Sequence, residues 1–385
     1  MAFEFIHEEV EKRRQQHLLR APVILEEEHE GMIKVSGNAY INFSSNDYLG
    51  LRQNPLVLQA WVEGLAIHGG GSGASPLVTG FTVAHQKLCD DLAVLLNRQS
   101  VLLFSSGFAA NQAICQALFK QPGRLFADKL SHASLIEGGY TSQAEFKRFA
   151  HNDLTHLARL MDVSSKANDL IATEGVFSMD GDCAPVSQLA KLAKQRNAWL
   201  MIDDAHGFGI LGEQGEGAAA SQTEQSECQI IMGTLGKACG TGGAFIAGSK
   251  VFIEYMTNFA KHFIYSTSMP PAQAHASSAA IVQIKNGDQR TRLYDNIDYF
   301  KNAMRSEGFD LIDSNSAIQP IIIGDPQRAL AYSQWLKSLG LWISPIRYPT
   351  VPKNTDRLRI TLNSLHQKAD INALIDALNI VRDRL

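Results

Sequence analysis

Along the middle of the chain, short unbroken apolar runs alternate with longer stretches whose apolar residues recur at helical spacing. The runs are residues 101–104, 170–172, 199–202 and 230–232. A half-exposed strand alternates apolar and polar residues, whereas a continuous run suits a strand covered on both faces. Repeated between helical segments, such runs predict a parallel or mixed sheet with helices on both sides. This α/β theme occupies residues 46–280. Before it, residues 4–20 read as a charged, exposed helix with Ile6, Val10 and Leu18 as its sparse apolar side and Pro22 as its stop. Residues 31–43 alternate and read as a hairpin. Beyond residue 281, strands at 319–323 and 358–361 mix with helices. In the last helix Ile371, Leu374, Ile375, Leu378, Val381 and Leu385 keep the 3.6-residue period, with Asp370 as a cap. The expected organisation is an N-terminal helix and hairpin (1–45), a large α/β domain (46–280) and a small α+β domain (281–385). The N-terminal elements should join the small domain or lie across the seam.

Composition narrows the function. With 385 residues, 45% hydrophobic and 19% charged, the chain is an ordinary globular protein that needs no disulfide or metal to build its core. A net charge of -4 leaves no basic excess for nucleic acid. No apolar run is long enough for a membrane span. The first residues are too charged for a secretory signal, and five widely spaced cysteines fit reduced thiols, so a cytoplasmic protein is expected. Neither Cys-x-x-Cys nor His-Glu-x-x-His occurs, so no zinc site is expected.

In open α/β sheets ligands bind beyond the carboxyl ends of the strands, so the residues after each apolar run carry the chemistry. After 101–104 come Ser105, Ser106, Gly107, Phe108, Ala109, Ala110 and Asn111, a turn opening a helix. It is either an ordinary connection or a phosphate cradle of free N–H groups. After 170–172 comes a stretch with Glu174, Ser178, Asp180, Gly181 and Asp182, whose acids could simply solvate a turn. Val176 stands where a Gly-x-Ser-x-Gly elbow needs glycine, which disfavours a serine hydrolase. After 199–202 come Asp203, Asp204, Ala205 and His206. A carboxylate at the end of a buried strand needs a partner, which a salt bridge or a pyridinium N–H would supply. His206 alone fits a structural histidine. After 230–232 come Gly233, Thr234, Leu235, Gly236 and Lys237, with no other charge from Ile230 to Ala247. An amine in a dry pocket has a lowered pKa and serves as nucleophile or base.

Two glycine patterns mislead. Gly207, Gly209 and Gly212 match Gly-x-Gly-x-x-Gly, but residues 213–217 make a poor helix start, against a dinucleotide fingerprint. Gly236-Lys237 resembles a Walker loop, but Ile231 and Ala238 break it. A phosphate turn, a buried acid, a histidine and a desolvated lysine at neighbouring strand ends suit one cofactor, pyridoxal phosphate (PLP).

At these positions the chain resembles the α-oxoamine synthases, fold-type I PLP-dependent acyltransferases. The resemblance rests on residues 46–50 (Asn-Asp-Tyr-Leu-Gly), 128–134 (Asp-Lys-Leu-Ser-His-Ala-Ser), 173–182, 203–209, 234–238 and 265–271, and runs from about Arg20 to the C-terminus. It implies a fold-type I PLP-transferase, with a large central mixed-sheet domain and a smaller α+β C-terminal domain. Lys237 would hold the cofactor and act as α-proton base. Asp203 would pair with the ring nitrogen, His206 with the ring oxygen, and His132 would stack on the ring. Gly107, Phe108 and Thr234 would bind the phosphate, Ser178 would lie beside the cofactor, and Ser266 or Thr267 would reach the neighbouring subunit's phosphate in a homodimer with shared active sites. Arg347 would clamp the amino-acid carboxylate, and Arg20 and Thr350 would contact the acyl substrate. Segments 317–320 and 346–352 point to the branch that condenses L-alanine with pimeloyl-CoA or a pimeloyl carrier protein. The alternatives are another branch, such as a glycine C-acetyltransferase, an aminotransferase, or a non-catalytic protein on the same fold. Three departures from the family pattern are Asp204 for Glu, Phe208 for a small residue near the ring, and Pro76 in the loop 75–80.

Overall fold

The structure is a computed structural model that describes residues 2–16, 18–162, 168–309, 311–382 and 384. The chain opens with helix α1 (Phe5–Gln15) and strands β1 (Glu27–His29), β2 (Met32–Val35) and β3 (Asn38–Asn42). Helices α2 (Pro55–His68) and α3 (Val83–Leu95) lead into the central sheet. Its strands are β4 (Ser100–Phe104), β5 (Gly123–Asp128), β6 (Glu145–Phe149), β7 (Asn168–Glu174), β8 (Trp199–Asp203), β9 (Ile230–Thr234) and β10 (Ala244–Gly248). They lie in the order β4-β10-β9-β8-β7-β5-β6. β10 runs antiparallel to both its neighbours, and the other pairings are parallel. Helix α4 (Gly107–Leu118) follows β4, and α5 (Ala133–Thr141) follows β5.

Successive residues of each central strand feed two different cores. Leu170, Met201, Ile230 and Met232 belong to one, Ile171, Leu200, Ile202 and Ile231 to the other. This explains the continuous apolar runs: both faces of the sheet are dry, so no position in the strand is left for a polar residue. The four expected strands are present, each extended by one or more residues. β5, β6 and β10 were not anticipated. β5 carries Arg124, which is buried because Asp169 of β7 receives its guanidinium at 2.8 Å. β6 is an edge strand and keeps Glu145, Lys147 and Arg148 among its residues.

The remaining strands, β11 (Ile318–Ile322), β12 (Leu341–Trp342), β13 (Ser344–Ile346) and β14 (Arg357–Thr361), build two small sheets. β11-β14-β13 is antiparallel. β12 adds in parallel to β3 and completes a four-stranded sheet with the N-terminal hairpin, so the first elements do pair with the C-terminal part. In the hairpin, Ser36 and Gly37 both take positive φ (51° and 77°), the tight turn that the strands' twist favours.

Helix α1 ends at Gln15, earlier than the expected stop at Pro22. None of its residues is buried, so no packing extends it past its third turn. The last helix runs Lys368–Arg382 and buries Ile371, Leu374, Ile375, Leu378 and Val381; Leu385 lies outside the described residues. Asp370 does not precede this helix. It sits inside the first turn, and its carboxylate reaches back to the Gln367 N–H at 2.8 Å, the acidic half of a capping box. Residues 207–212 are a loop folded back by Gly209 N–H to Gly215 O (2.8 Å), with no long helix after them. Phe208 is buried edge-on to Phe245, with centroids 4.9 Å apart. No described helix is long and apolar enough to cross a membrane.

Candidate active site

The carboxyl ends of β4, β5, β7, β8 and β9 open on one side of the sheet, because these strands are parallel. The loops that leave them carry Gly107, His132, Ser178, His206 and Lys237. The half-buried Lys237 Nζ lies 2.7 Å from His206 Nε2. His206 Nδ1 lies 2.6 Å from the Tyr48 hydroxyl, which is 3.2 Å from Asn46 Oδ1. Asn46 Oδ1 also accepts from both terminal nitrogens of Arg359, at 3.2 and 3.3 Å. With Tyr48 donating to Asn46, His206 carries its proton on Nδ1 and turns the Nε2 lone pair to Lys237. Burial first, then the positive charges of Lys237 and Arg359, push the His206 pKa far down, so the ring is neutral.

Burial also lowers Lys237, to about 8, against the upward pull of the Asp203 and Glu174 carboxylates; Arg359 lowers it further. Asp203 is 3% exposed. Its Oδ1 accepts from Ala205 N–H (3.1 Å) and its Oδ2 from Asn111 Nδ2 (2.8 Å). Asn111 also donates to Ser134 Oγ (2.9 Å), and Ser134 Oγ is 2.8 Å from His132 Nδ1. His132 caps α5 through the same nitrogen, which leaves its ring on the surface of the cleft. A run of hydrogen bonds therefore joins the buried acid to this histidine.

Glu174 is a buried neighbour of Asp203, its partner across the β7–β8 pair. Burial first, then the Asp203 charge, raise its pKa well above the usual range, against the opposite pull of Lys237. Its Oε2 accepts from Ser178 N–H (3.2 Å), and its Oε1 is buried without a partner. The acids after β7 thus do not merely solvate a turn. Asp204 is fully buried as well, held by Ala219 N–H at 2.9 Å, and burial raises it to about 7. Gly175, Gly207 and Gly217 wrap it so closely that a Cβ at any of them would lie within 2.5 Å of a carboxylate oxygen.

The structure puts Gly107 at the N-terminus of α4, with Ser106 Oγ occupied by Ala109 N–H (3.2 Å). A Cβ on Gly107 would come within 2.9 Å of Thr234 Cγ2, and Thr234 Oγ1 is buried without a partner. Free N–H groups, the helix dipole and an orphaned hydroxyl meet there, a donor set that fits a phosphate. With Lys237 and Asp203 nearby, the residues present fit PLP.

Other expected site residues lie farther out. Thr267 is exposed in segment 265–269, beside Ser105 and His85. Arg20 and Thr350 meet at the surface, Nη2 to Oγ1, at 3.3 Å. Arg347 is half-buried in the loop after β13. Arg359, passed over in the sequence, is the arginine whose charge reaches Lys237 and His206; its Nε donates to Ser178 O at 2.7 Å. Its signal was an arginine flanked by Leu358 and Ile360 in a strand that reads as buried.

A family model described as aminotransferase class I and II matches residues 38–378, so the scaffold is that of a fold-type I PLP enzyme. An 8-amino-7-oxononanoate synthase of Citrobacter koseri is 48% identical over 343 residues, 88% of this chain and 89% of that protein. The solved 8-amino-7-oxononanoate synthase of Francisella tularensis is 32% identical, with a TM-score of 0.77 over 90% of this chain and 99% of its own. A serine palmitoyltransferase of S. paucimobilis with a bound PLP–myriocin aldimine is 25% identical, with a TM-score of 0.91 over 99% of this chain and 97% of its own. The chain belongs to the α-oxoamine synthase family of PLP-dependent acyltransferases.

Proposed function

We propose that the protein condenses L-alanine with a pimeloyl thioester, carried on CoA or on a carrier protein, to 8-amino-7-oxononanoate, carbon dioxide and free thiol, a step of biotin biosynthesis. The reading draws its product from the relatives' names, its substrates from the family resemblance, and its chemistry from one observation: an amine lowered to about 8, hydrogen-bonded to a neutral imidazole and within the field of a buried carboxylate and a buried guanidinium.

Bound PLP supplies an aldehyde for Lys237 and an electron-withdrawing ring that takes up charge from the amino acid's α-carbon. Gly107 and Phe108 N–H groups with Thr234 Oγ1 hold its phosphate. Asp203, oriented by Asn111 Nδ2 and Ala205 N–H, would pair with the ring nitrogen. Lys237 Nζ anchors the cofactor and then moves the α-proton, which its lowered pKa permits near neutrality. His206, with its Nε2 lone pair turned to Lys237, would lie beside the ring oxygen, and His132 would cover the ring face. Arg359, rather than Arg347, takes the amino-acid carboxylate, because its guanidinium lies in the buried interior with Lys237, where a planar fork is strongest. Arg20 and Thr350 receive the acyl group at the mouth. A second copy of the chain covers the exposed Val78, Phe81, Phe108 and Tyr265 and brings Thr267 to the partner's phosphate.

The test is release of thiol and carbon dioxide by PLP-loaded protein, with L-alanine or glycine against pimeloyl or acetyl thioesters and Lys237→Ala as control. Release with L-alanine and a pimeloyl thioester, lost in the control, is expected. Preference for glycine and acetyl-CoA would reassign the substrates within the family.

A further inference from the structure

A cluster beside the site has no part in the chemistry above. β5 and β7 are paired, so the loop carrying His132 and the loop carrying Ser178 leave the sheet side by side. His151, from the loop after β6, stands against both. Its Nδ1 lies 3.1 Å from Asp128 Oδ1, at the end of β5, and its Nε2 lies 2.9 Å from Asp182 Oδ2, in the loop after β7. Each ring nitrogen faces a carboxylate, so both donate. Burial alone would lower this histidine, but the bonds to Asp128 and Asp182 override it and hold the pKa up to about 10.

The carboxylates are anchored in turn. Asp128 is fully buried; its Oδ1 also accepts from Leu130 N–H and its Oδ2 from Asn152 N–H, both at 2.8 Å. Leu130 is two residues from His132. Asp182 Oδ2 also accepts from Asn152 Nδ2 at 3.0 Å. The His151 ring meets the edge of Phe177, next to Ser178, with centroids 4.4 Å apart. The loop after β7 is held on its other side by Arg359 on Ser178 O (2.7 Å), Arg357 on Asp180, and Ser314 on Gly181 O (2.9 Å). Glu174 holds only the Ser178 loop, through Ser178 N–H, whereas His151 bonds to both sides, at Asp128 and Asp182.

We propose that His151 is a positioning residue: by bridging Asp128 and Asp182 it holds the His132 loop and the Ser178 loop in one register, so that both present their groups to the cofactor together. The neighbouring protein groups are polar or aromatic rather than reactive, so the ring acts through those loops. A displacement of about an ångström in a positioned group costs on the order of a hundredfold in rate.

The proposal rests on the reading that His132 and Ser178 border the cofactor. It is tested on the PLP-loaded holoenzyme by visible circular dichroism of bound PLP, which needs no substrate, and by kcat and KM. The variants are His151→Gln, Asp182→Asn and His132→Ala, with His151→Gln repeated in the His132→Ala/Ser178→Ala background. His151→Gln and Asp182→Asn should each change the dichroism and lower kcat at least about tenfold. In the doubly substituted background, His151→Gln should add less than about a twofold loss. If His151→Gln does not load PLP, Asp182→Asn decides alone. Unchanged dichroism and kcat with only a lower melting temperature would overturn the proposal, as would an undiminished loss in that background. If His132→Ala itself leaves the dichroism unchanged, the reading of the site fails instead.

Discussion

The free amine of Lys237 is the quantity on which the proposed chemistry turns, and its titration can be followed without cofactor or substrate. An ordinary lysine titrates at 10.5, whereas Lys237 is lowered to about 8. At pH 7 about a tenth of it is then neutral, on the order of 300 times the fraction for an ordinary side chain. Burial is the main cause; Asp203 and Glu174 oppose it, and Arg359 adds to it. The charges therefore predict opposite shifts from two substitutions. Asp203→Asn removes a carboxylate that favours the ammonium, so the pKa should fall below 8. Arg359→Gln removes a competing cation, so it should rise above 8. The assay is competitive labelling of the apoenzyme with trace acetic anhydride across the pH range, with the peptide containing Lys237 quantified by mass spectrometry. Labelling should rise about tenfold per pH unit up to about 8 and then level off. A midpoint near 10.5, or the same direction of shift in both variants, would refute the electrostatic account of the site.

Two further outcomes test the neighbouring groups. Arg359→Lys should raise KM for the amino acid at least about tenfold, since an ammonium loses the planar fork, whereas Arg347→Lys should change it less; steady-state kinetics with both variants checks the order. Gly107→Ala puts a Cβ 2.9 Å from Thr234 Cγ2, so PLP affinity, measured by fluorescence quenching, should fall by on the order of tenfold, and Thr234→Val should weaken it through loss of the hydroxyl donor.

How much of this was legible in the sequence follows from the range of each interaction. Four strands at the dry centre announce themselves, because both faces demand apolar residues; β10, equally buried, does not, because three of its five residues are Ala or Gly. β5 did not, because Arg124 is admitted by an acid 45 residues away on another strand, and no local pattern encodes such a pairing. The same division runs through the site. Gly107, Asp203, His206, Thr234 and Lys237 stand at strand ends, where polar residues interrupt an apolar theme, and they were readable one segment at a time. Glu174 was equally placed but looked like a solvated acid, since burial against Asp203 depends on the β7–β8 register. Arg359 was the hardest, because an arginine inside a short strand is ordinarily a surface residue. Its meaning comes from Asn46, some 313 positions away, and from the field it imposes on Lys237.

His151 extends the argument from single residues to their arrangement. Its sequence neighbourhood, His-Asn-Asp, gives no reason to suspect that both ring nitrogens are taken, because one carboxylate comes from the end of β5 and the other from the loop after β7. A loop that carries a reactive group has few apolar contacts of its own, so charge-assisted bonds must fix it. Here the fixing groups lie on β5, on the loop after β6 and on the loop after β7, and the guanidiniums of Arg357 and Arg359 close the other side. Residues of this kind become visible only when the sheet order has brought their carriers together. The residues proposed to react therefore stand where chemistry marks strand ends, and those proposed to aim them meet only through the sheet topology.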